Sequence, residues 1–176
     1  RVFVKNGFKE SPDTAVHILL DSSGSMNDSG LMFANAVCYA VGKALQGISG
    51  VNLGITAFPG ANTPKRGATV APVLRHGEKL TTRFPEIAYG MTPMAESLWW
   101  VMQQMCLLRE NRKIILIITD GEPDSIPTAQ EAFKQAQKKG FECYGLGIMY
   151  SNIATLLPHT SRVIETLPQL APALSA

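Results

Sequence analysis

Two kinds of apolar pattern alternate along this chain and predict its secondary structure. Short, almost unbroken apolar runs are typical of strands that are covered on both faces of a sheet. They predict strands at 14–20, 51–58, 113–119 and 141–149, and a last short strand is expected at 161–164. Between these runs, apolar residues recur at the three- and four-residue spacing of a helix that faces a core. This second pattern predicts helices at 31–45, 92–109, 128–139, 153–157 and from 167 onward.

The alternation of strands and helices predicts a doubly wound α/β fold, Rossmann-like, with a mostly parallel central sheet of about six strands and helices on both faces. A further short strand at 68–74 follows the second strand too closely for a crossover, so it should pair antiparallel at an edge. We expect one domain over 14–176, preceded by a lead-in segment at 1–13. Because the chain opens on Arg1 and stops in a proline-alanine stretch, we expect it to be excised from a longer protein.

Composition narrows the class of protein and of partner. The chain has 176 residues, of which 45% are hydrophobic and 17% charged, and this balance indicates a globular domain. The net charge of +2 is too weak to argue for nucleic acid or an anionic membrane as a partner. The cysteines, Cys38, Cys106 and Cys143, are odd in number and far apart, which predicts buried free thiols. Free thiols favour a reducing compartment, so we expect a cytoplasmic location.

Polar side chains follow two of the predicted strands where each strand ends. The first strand runs into Asp21, with Ser23 and Ser25 on the loop that leaves it, and the strand at 113–119 runs into Asp120. Ligands of an open α/β sheet bind beyond the carboxyl ends of its strands, where the strand order reverses. If these two strands are neighbours, both carboxylates stand at that edge together with the two hydroxyls.

The types of donor at this edge favour a hard divalent cation over acid–base catalysis. Two carboxylates and several hydroxyls include no group that needs to exchange a proton, whereas an all-oxygen set with one or two carboxylates suits Mg²⁺. Hydroxyl ligands leave such a metal under-neutralised, so that it would accept one more carboxylate from outside. The alternative is a capped turn, in which Asp21, Ser23 and Ser25 satisfy loose backbone amides of the next helix.

The segment DSSGSM, with Asp21, Ser23 and Ser25, resembles the DxSxS signature of the von Willebrand factor A (VWA) family. The segment GMTP, with Thr92, matches the family's threonine before a mid-chain helix, and TDG, with Asp120, matches its T/S-D-G. In that family the five positions form the metal-ion-dependent adhesion site, or MIDAS. The resemblance covers the chain from about residue 14 to the end. It implies a VWA fold, Mg²⁺ (or Mn²⁺) at these residues, and a protein partner that supplies an Asp or Glu.

A narrower resemblance concerns two longer segments. TPMAESLWW, followed by RENRKIILIITDGEPD, looks like the A-type domain of the large cobaltochelatase subunit and of related bacterial domains that work beside an AAA+ ATPase. In those systems the resemblance implies a module that docks a partner and transmits the work of the motor. The resemblance implies a module of a chelatase-type complex, with an AAA+ ATPase as one partner.

Two other functions stay open as alternatives. One is a magnesium-dependent hydrolase or phosphotransferase with Asp21 as nucleophile; the other is a VWA scaffold that works without metal. Aspartyl-phosphate enzymes want a second acid two residues on, where this chain has Ser23. The G-x-S-x-G elbow and the phosphate-binding G-x-x-x-x-G-K-[ST] are both absent. We therefore predict a non-catalytic domain.

Several other residues carry simpler interpretations. Glu122 and Asp124 are predicted to be solvated loop charges. The histidines show no pairing pattern, and His17, within a strand, is predicted to be a hydrogen-bonded core residue. Trp99 and Trp100 point about 100° apart on a helix, so one of them can be in the core while the other is partly exposed. The methionines are interpreted as core filler, and Thr92 as a possible helix cap in addition to a ligand.

Overall fold

A computed structural model describes residues 13–60, 62–63, 66–67, 69–88, 90–150 and 152–175. The predicted lead-in at 1–13 therefore lies, except for its last residue, outside the described residues. The strands are β1 (Thr14–Asp21), β2 (Val51–Phe58), β3 (Asn62–Thr63), β4 (Arg66–Gly67), β5 (Ala71–Leu74), β6 (Arg112–Thr119), β7 (Glu142–Ile148) and β8 (Ser161–Ile164). The helices are α1 (Asn27–Gln46), α2 (Met94–Cys106), α3 (Ile126–Lys138) and α4 (Leu170–Ser175). Turns of 3₁₀ helix lie at Gly24–Met26, Asn152–Thr155 and Leu167–Gln169.

The central sheet has six strands in the order β5-β2-β1-β6-β7-β8. All its neighbouring pairs are parallel except β2 and β5, which are antiparallel at one edge. The chain winds outward from β1 to β2 in one direction and from β6 to β8 in the other. The strand order therefore reverses between β1 and β6, which is where an open α/β sheet binds ligands. The predicted fold class, including the antiparallel edge strand, is confirmed.

Both faces of the sheet are buried, as the apolar runs require. Alternate residues of β1 point to opposite faces, because side chains alternate along a strand. Ala15 and Leu19 pack in a core with α2 and α3. Val16, Ile18 and Leu20 pack in a second core with α1 and α4. These two layers hold β1 rigidly, and with it the loop that leaves its carboxyl end.

The helix bounds differ from the predictions mainly at the ends. α1 starts at Asn27, four residues earlier than its apolar period suggested, because the polar first turn follows directly on the Gly24–Met26 turn. The prediction that Thr92 caps the next helix is wrong. α2 begins at Met94 with Pro93 in the cap position, and no side chain caps it. The Thr92 carbonyl accepts instead from the amide of Met94 at 2.8 Å.

Two predictions about single side chains need correction. Cys38 and Cys143 are buried free thiols as expected, but Cys106 is exposed. Four methionines are core residues, whereas three are exposed: Met32, Met91 and Met149. The tryptophans behave as predicted, since Trp99 is 39% exposed while Trp100 packs against the α2–α3 core.

None of the helices in the described part of the chain has the length and hydropathy needed to cross a bilayer.

The buried His17 of β1 is paired with His76, which follows β5 and is partly buried. His17, on β1, is 3% exposed, and its Nε2 is 2.7 Å from the Thr56 hydroxyl. Its Nδ1 is 2.8 Å from Nε2 of His76. Gly54 is paired with His17 on β2, and a Cβ there would lie 2.5 Å from one ring and 2.7 Å from the other. The prediction that His17 is a hydrogen-bonded core residue is confirmed. The prediction that the histidines do not pair was wrong, because Gly54 lies beside His17 in the sheet and leaves space for the His76 ring.

This pair predicts a loss of stability in acid. Burial, reinforced by the charge of His76, lowers the pKa of His17 from 6.5 to about 3. The unfolded chain then takes up a proton near pH 6.5 that the folded protein does not. Above pH 6.5 the titration of His17 does not lower the free energy of unfolding. As the pH falls from 6.5 to 5, this residue lowers the free energy of unfolding by about 2 kcal/mol.

The measurement is urea unfolding in EDTA of the wild type and of His17→Gln across this pH range. The difference in unfolding free energy between the two proteins should shrink by that amount on acidification. Comparing the two proteins removes the titration of all other groups they share. A difference that stays constant from pH 7 to pH 5 would contradict the prediction.

Candidate metal site

The two carboxylates predicted to meet lie at the ends of adjacent strands. Asp21 is the last residue of β1 and is fully buried; Asp120 directly follows β6 and is half-buried. The two strands are parallel neighbours with Leu20 opposite Ile118. Both side chains therefore stand at the carboxyl edge of the sheet, at the point where the strand order reverses.

Asp21 organises the start of its loop. Its Oδ1 accepts the backbone amide of Ser23 at 2.7 Å, and its Oδ2 accepts the Thr119 hydroxyl at 2.5 Å. Thr119 Oγ1 also accepts the amide of Gly121 at 3.1 Å, which joins the first loop to the one after β6. Burial raises the pKa of Asp21 to about 6, although the hydrogen bonds from Ser23 and Thr119 oppose this rise. A buried carboxylate of this kind is stabilised by a cation beside it.

A chain of hydroxyls connects the first loop to the second carboxylate. Ser23 Oγ lies 3.1 Å from Ser25 Oγ, and Ser25 Oγ donates to Asp120 Oδ1 at 3.0 Å. Burial also raises the pKa of Asp120, against the effect of the Ser25 hydrogen bond. Gly121 is needed for this approach, because a Cβ there would lie 3.2 Å from Ser25 Oγ. Asp21, Ser23, Ser25 and Asp120 thus form one continuous polar cluster.

The loop of Thr92 is joined to the two loops that carry the cluster. Its amide donates to Asp124 Oδ1 at 2.8 Å, and its carbonyl accepts the amide of Asp124 at 3.0 Å. Two residues earlier, the Gly90 carbonyl accepts the amide of Gly24 at 3.1 Å. Gly90 has φ +79°, a conformation that favours glycine. The loop of Thr92 is therefore joined to the loop after β1 and to the loop after β6. None of these three bonds uses the Thr92 hydroxyl.

The donors assembled here are those of a hard-cation site. They are carboxylate and hydroxyl oxygens, with no sulfur or imidazole among the hydrogen-bonded members described above. The described residues contain no group of three or more His, Cys, Asp or Glu placed to hold a metal. This agrees with the composition of the cluster, since it has two carboxylates and its other donors are hydroxyls. A small all-oxygen set of two carboxylates and several neutral hydroxyls suits Mg²⁺ or Mn²⁺.

Two contributors to this arrangement were missed by the sequence analysis. Asp124 was interpreted as a solvated charge and is indeed exposed, but its carboxylate also accepts the Thr92 amide and so holds that loop. Thr119 was quoted in the T-D-G motif without a role, yet its hydroxyl joins Asp21 to the loop after β6. The sequence offered no signal for the Asp124 contact, because its partner is a backbone amide 32 positions away. Glu122, the other acid of that loop, is exposed as predicted.

The family model of the von Willebrand factor type A domain matches residues 15–172, which is nearly the whole chain. The chain belongs to this family. A comparison with curated proteins gave no match.

Solved structures of other VWA domains have the same fold. Manganese-loaded TRAP of Plasmodium vivax has a TM-score of 0.68 and 14% identity, over 90% of this chain and 70% of that one. Proximal thread matrix protein 1 of the mussel byssus, with a zinc-occupied MIDAS, has a TM-score of 0.72 and 10% identity, over 94% of this chain and 44% of that one. The SpRpn10 VWA domain has a TM-score of 0.67 and 8% identity, over 92% and 93%. The chain thus spans less than half of the mussel protein.

Proposed function

We propose that this VWA domain is a metal-ion-dependent protein-binding module. Asp21, Ser23, Ser25, Thr92 and Asp120 would hold Mg²⁺ (or Mn²⁺), and the bound metal would accept an Asp or Glu carboxylate of a partner protein. The observation that supports this most is the continuous cluster from Asp21 to Asp120 at the ligand edge of the sheet. Two of the similar solved structures also favour it, namely manganese-loaded TRAP and the mussel protein with a zinc-occupied MIDAS.

Each group of the cluster has a separable part in this proposal. The buried Asp21 carboxylate fixes the first loop and supplies negative charge beneath the hydroxyls of Ser23 and Ser25. Those hydroxyls now bond to one another and to Asp120, and these hydrogen bonds are weak enough to be exchanged for a cation. When bound, the metal supplies positive charge and an open position for an outside ligand. Because most of the donors are neutral, the site keeps its attraction for a further carboxylate.

The geometry disfavours the hydrolase or phosphotransferase alternative. A nucleophilic Asp21 would need a free carboxylate oxygen facing the substrate. Asp21 is instead fully buried, and its two oxygens accept from the Ser23 amide and the Thr119 hydroxyl. We therefore propose a non-catalytic role, in which this carboxylate organises a binding site.

Metal binding is tested by thermal and urea unfolding with and without Mg²⁺. At a concentration about 100 times its dissociation constant, Mg²⁺ should stabilise the wild type by about 3 kcal/mol. Ser23→Ala, Thr92→Ala and Asp120→Ala should fold but lose most of this response and bind the partner more weakly.

Ser22→Ala is the matched control for Ser23→Ala. Ser22 is buried in the same loop, but its hydroxyl donates to the carbonyls of Phe58 and Pro59 at 3.3 Å and lies outside the cluster. This variant should lose some stability and keep the full response to Mg²⁺. Equal stabilisation of Ser22→Ala and Ser23→Ala by Mg²⁺, or no stabilisation of the wild type, would contradict the proposed metal site. The remaining hypothesis would then be a VWA scaffold that works without metal.

We further propose that the domain covers 14–176 of a longer cytoplasmic protein and works in an AAA+ ATPase-coupled or chelatase-type complex. This rests on the resemblance of TPMAESLWW and RENRKIILIITDGEPD to the cobaltochelatase-type subgroup of bacterial domains. Affinity capture from lysate with Mg²⁺ and with EDTA tests it. An AAA+ ATPase retained with Mg²⁺ and released by EDTA would support the proposal, and its absence from the retained proteins would contradict it.

A further inference from the structure

A cavity of about 310 Å³ opens directly beside the candidate metal site. Its lining includes Ser25 and Asp120 of that site and also Glu165. We call it the metal-side cavity. Its apolar lining comes from Phe33 of α1 and from the end of β7 and the residues that follow it, Ile148, Met149 and Tyr150.

Glu165 is a third carboxylate at the same edge of the sheet. It directly follows β8, just as Asp120 directly follows β6, and the strands from β6 to β8 are parallel. The amide of Met149 donates to the carbonyl of Ile164 at 2.9 Å, which fixes the wall of the cavity to the end of β8. Since adjacent strands are about 4.8 Å apart, Glu165 lies about 10 Å along the edge from Asp120.

The backbone around the cavity is strained on two sides. Among the described residues, the non-glycine positions with positive φ are Asn27, at 46°, and Met149, at 67°. Both line the cavity. Such conformations cost of order 1–3 kcal/mol each and are concentrated at sites that hold ligands. Met149 and Tyr150 are also 51% and 61% exposed, so their apolar surface is available to a partner.

We propose that the metal-side cavity takes an arginine side chain of the same partner segment whose carboxylate binds the metal; this inference rests on the proposed function. The charged residues that line the cavity are Asp120 and Glu165, and its lining includes no lysine, arginine or histidine. Because Asp120 would hold the metal, Glu165 is the carboxylate that is left to pair with a cationic side chain. An anionic side chain would meet like charge there. The apolar stem of arginine packs on Phe33 and Met149, and its planar guanidinium stacks on Tyr150 and pairs with Glu165.

The distance along the edge sets the spacing in the partner. An extended peptide advances about 3.3 Å per residue, so about 10 Å corresponds to an acid and an arginine roughly three residues apart. The partner class is therefore an extended segment with an Asp or Glu and an Arg at that separation. Glu165→Gln removes the charge with little change of shape, and its side chain is exposed, so the variant should fold.

The test is selection from a displayed library of short random peptides around a fixed aspartate, in Mg²⁺ and in EDTA. Selected peptides are then compared with versions that carry citrulline in place of arginine, a neutral group of the same shape. In Mg²⁺, arginine should be enriched near the aspartate, and citrulline should weaken binding by about tenfold. Glu165→Gln should remove most of that preference without changing the affinity for Mg²⁺ alone. Glu122→Gln, which makes the same charge change elsewhere on the metal face, should keep it.

The outcomes separate this inference from the proposed function. Mg²⁺-dependent binding of acidic peptides without a preference for arginine, or with a preference that Glu165→Gln leaves intact, would overturn the inference and leave the metal-dependent module standing. Binding of Mg²⁺ without selection of any peptide would also overturn it. Failure of the wild type to bind Mg²⁺ would overturn both.

Discussion

Asp21→Asn is expected to make the metal-free domain more stable and to abolish its response to Mg²⁺. In the metal-free protein, burial raises the pKa of Asp21 from 3.8 to about 6. A group whose pKa is higher in the folded state contributes stability in acid, and this contribution is lost as pH rises through the folded value. Above pH 7 the ionised side chain therefore costs the fold about 3 kcal/mol relative to its neutral form.

Asparagine can replace the carboxylate without breaking the local bonds. Its carbonyl oxygen can accept the Ser23 amide, and its amide group can donate to the Thr119 hydroxyl, which is able to accept. Urea unfolding in EDTA at about pH 8 should show the variant more stable by up to about 3 kcal/mol, with the gain disappearing near pH 4. In saturating Mg²⁺ the order should reverse, because only the wild type gains binding energy.

The control for this prediction is Asp13→Asn, the same charge change at an exposed residue outside the cluster. Its stability in EDTA and its response to Mg²⁺ should both stay close to those of the wild type. If Asp21→Asn were less stable than the wild type in EDTA at every pH, the buried carboxylate would be structural. The interpretation that the buried Asp21 carboxylate destabilises the metal-free fold and is present because it binds metal would then be wrong.

The fold could be predicted because burial on both faces leaves a direct trace in the sequence. β2 was predicted residue for residue, since it is a short, largely apolar segment with turns on both sides. The bounds of β8 were also predicted, although two of its four residues, Ser161 and Arg162, are polar. α1 was less accurate, because its first turn is polar and carries no helical period. The start of α2 was also wrong: Thr92 looks like a cap by residue type, but its backbone is committed to Asp124.

The site could be predicted only as far as local motifs reach. Asp21, Ser23 and Ser25 are close in sequence, and their meeting with Asp120 follows from the adjacency of two parallel strands. The contacts of Asp124 with Thr92, and of Thr119 with Asp21, depend on the exact path of the loops. Loop path is set by backbone hydrogen bonds between distant segments, and no residue pattern encodes these. The cavity beside the site has the same origin, since it is walled by four separate segments.

Asp124→Ala is expected to weaken the binding of Mg²⁺ by about 10- to 100-fold, the range seen when a residue that orients a metal ligand is removed. Asp124 holds the Thr92 loop by two hydrogen bonds, one from the Thr92 amide to its carboxylate and one from its own amide to the Thr92 carbonyl. Alanine removes the first and keeps the second. The loop of Thr92 then becomes more mobile. Binding of Mg²⁺ must order the Thr92 hydroxyl, and this ordering lowers the affinity.

Glu122→Ala is the matched control, because it removes the same charge from an exposed side chain of the same loop. Its effect on the Mg²⁺ affinity should be small, since only a screened long-range attraction is lost. Asp124→Asn keeps an oxygen that can accept the Thr92 amide and should retain most of the affinity. Calorimetry with Mg²⁺ and the spectrum of bound Mn²⁺ measure these effects. If Asp124→Asn and Glu122→Ala both weakened binding as much as Asp124→Ala, charge near the site would be what matters, and the placement of Thr92 by Asp124 would not.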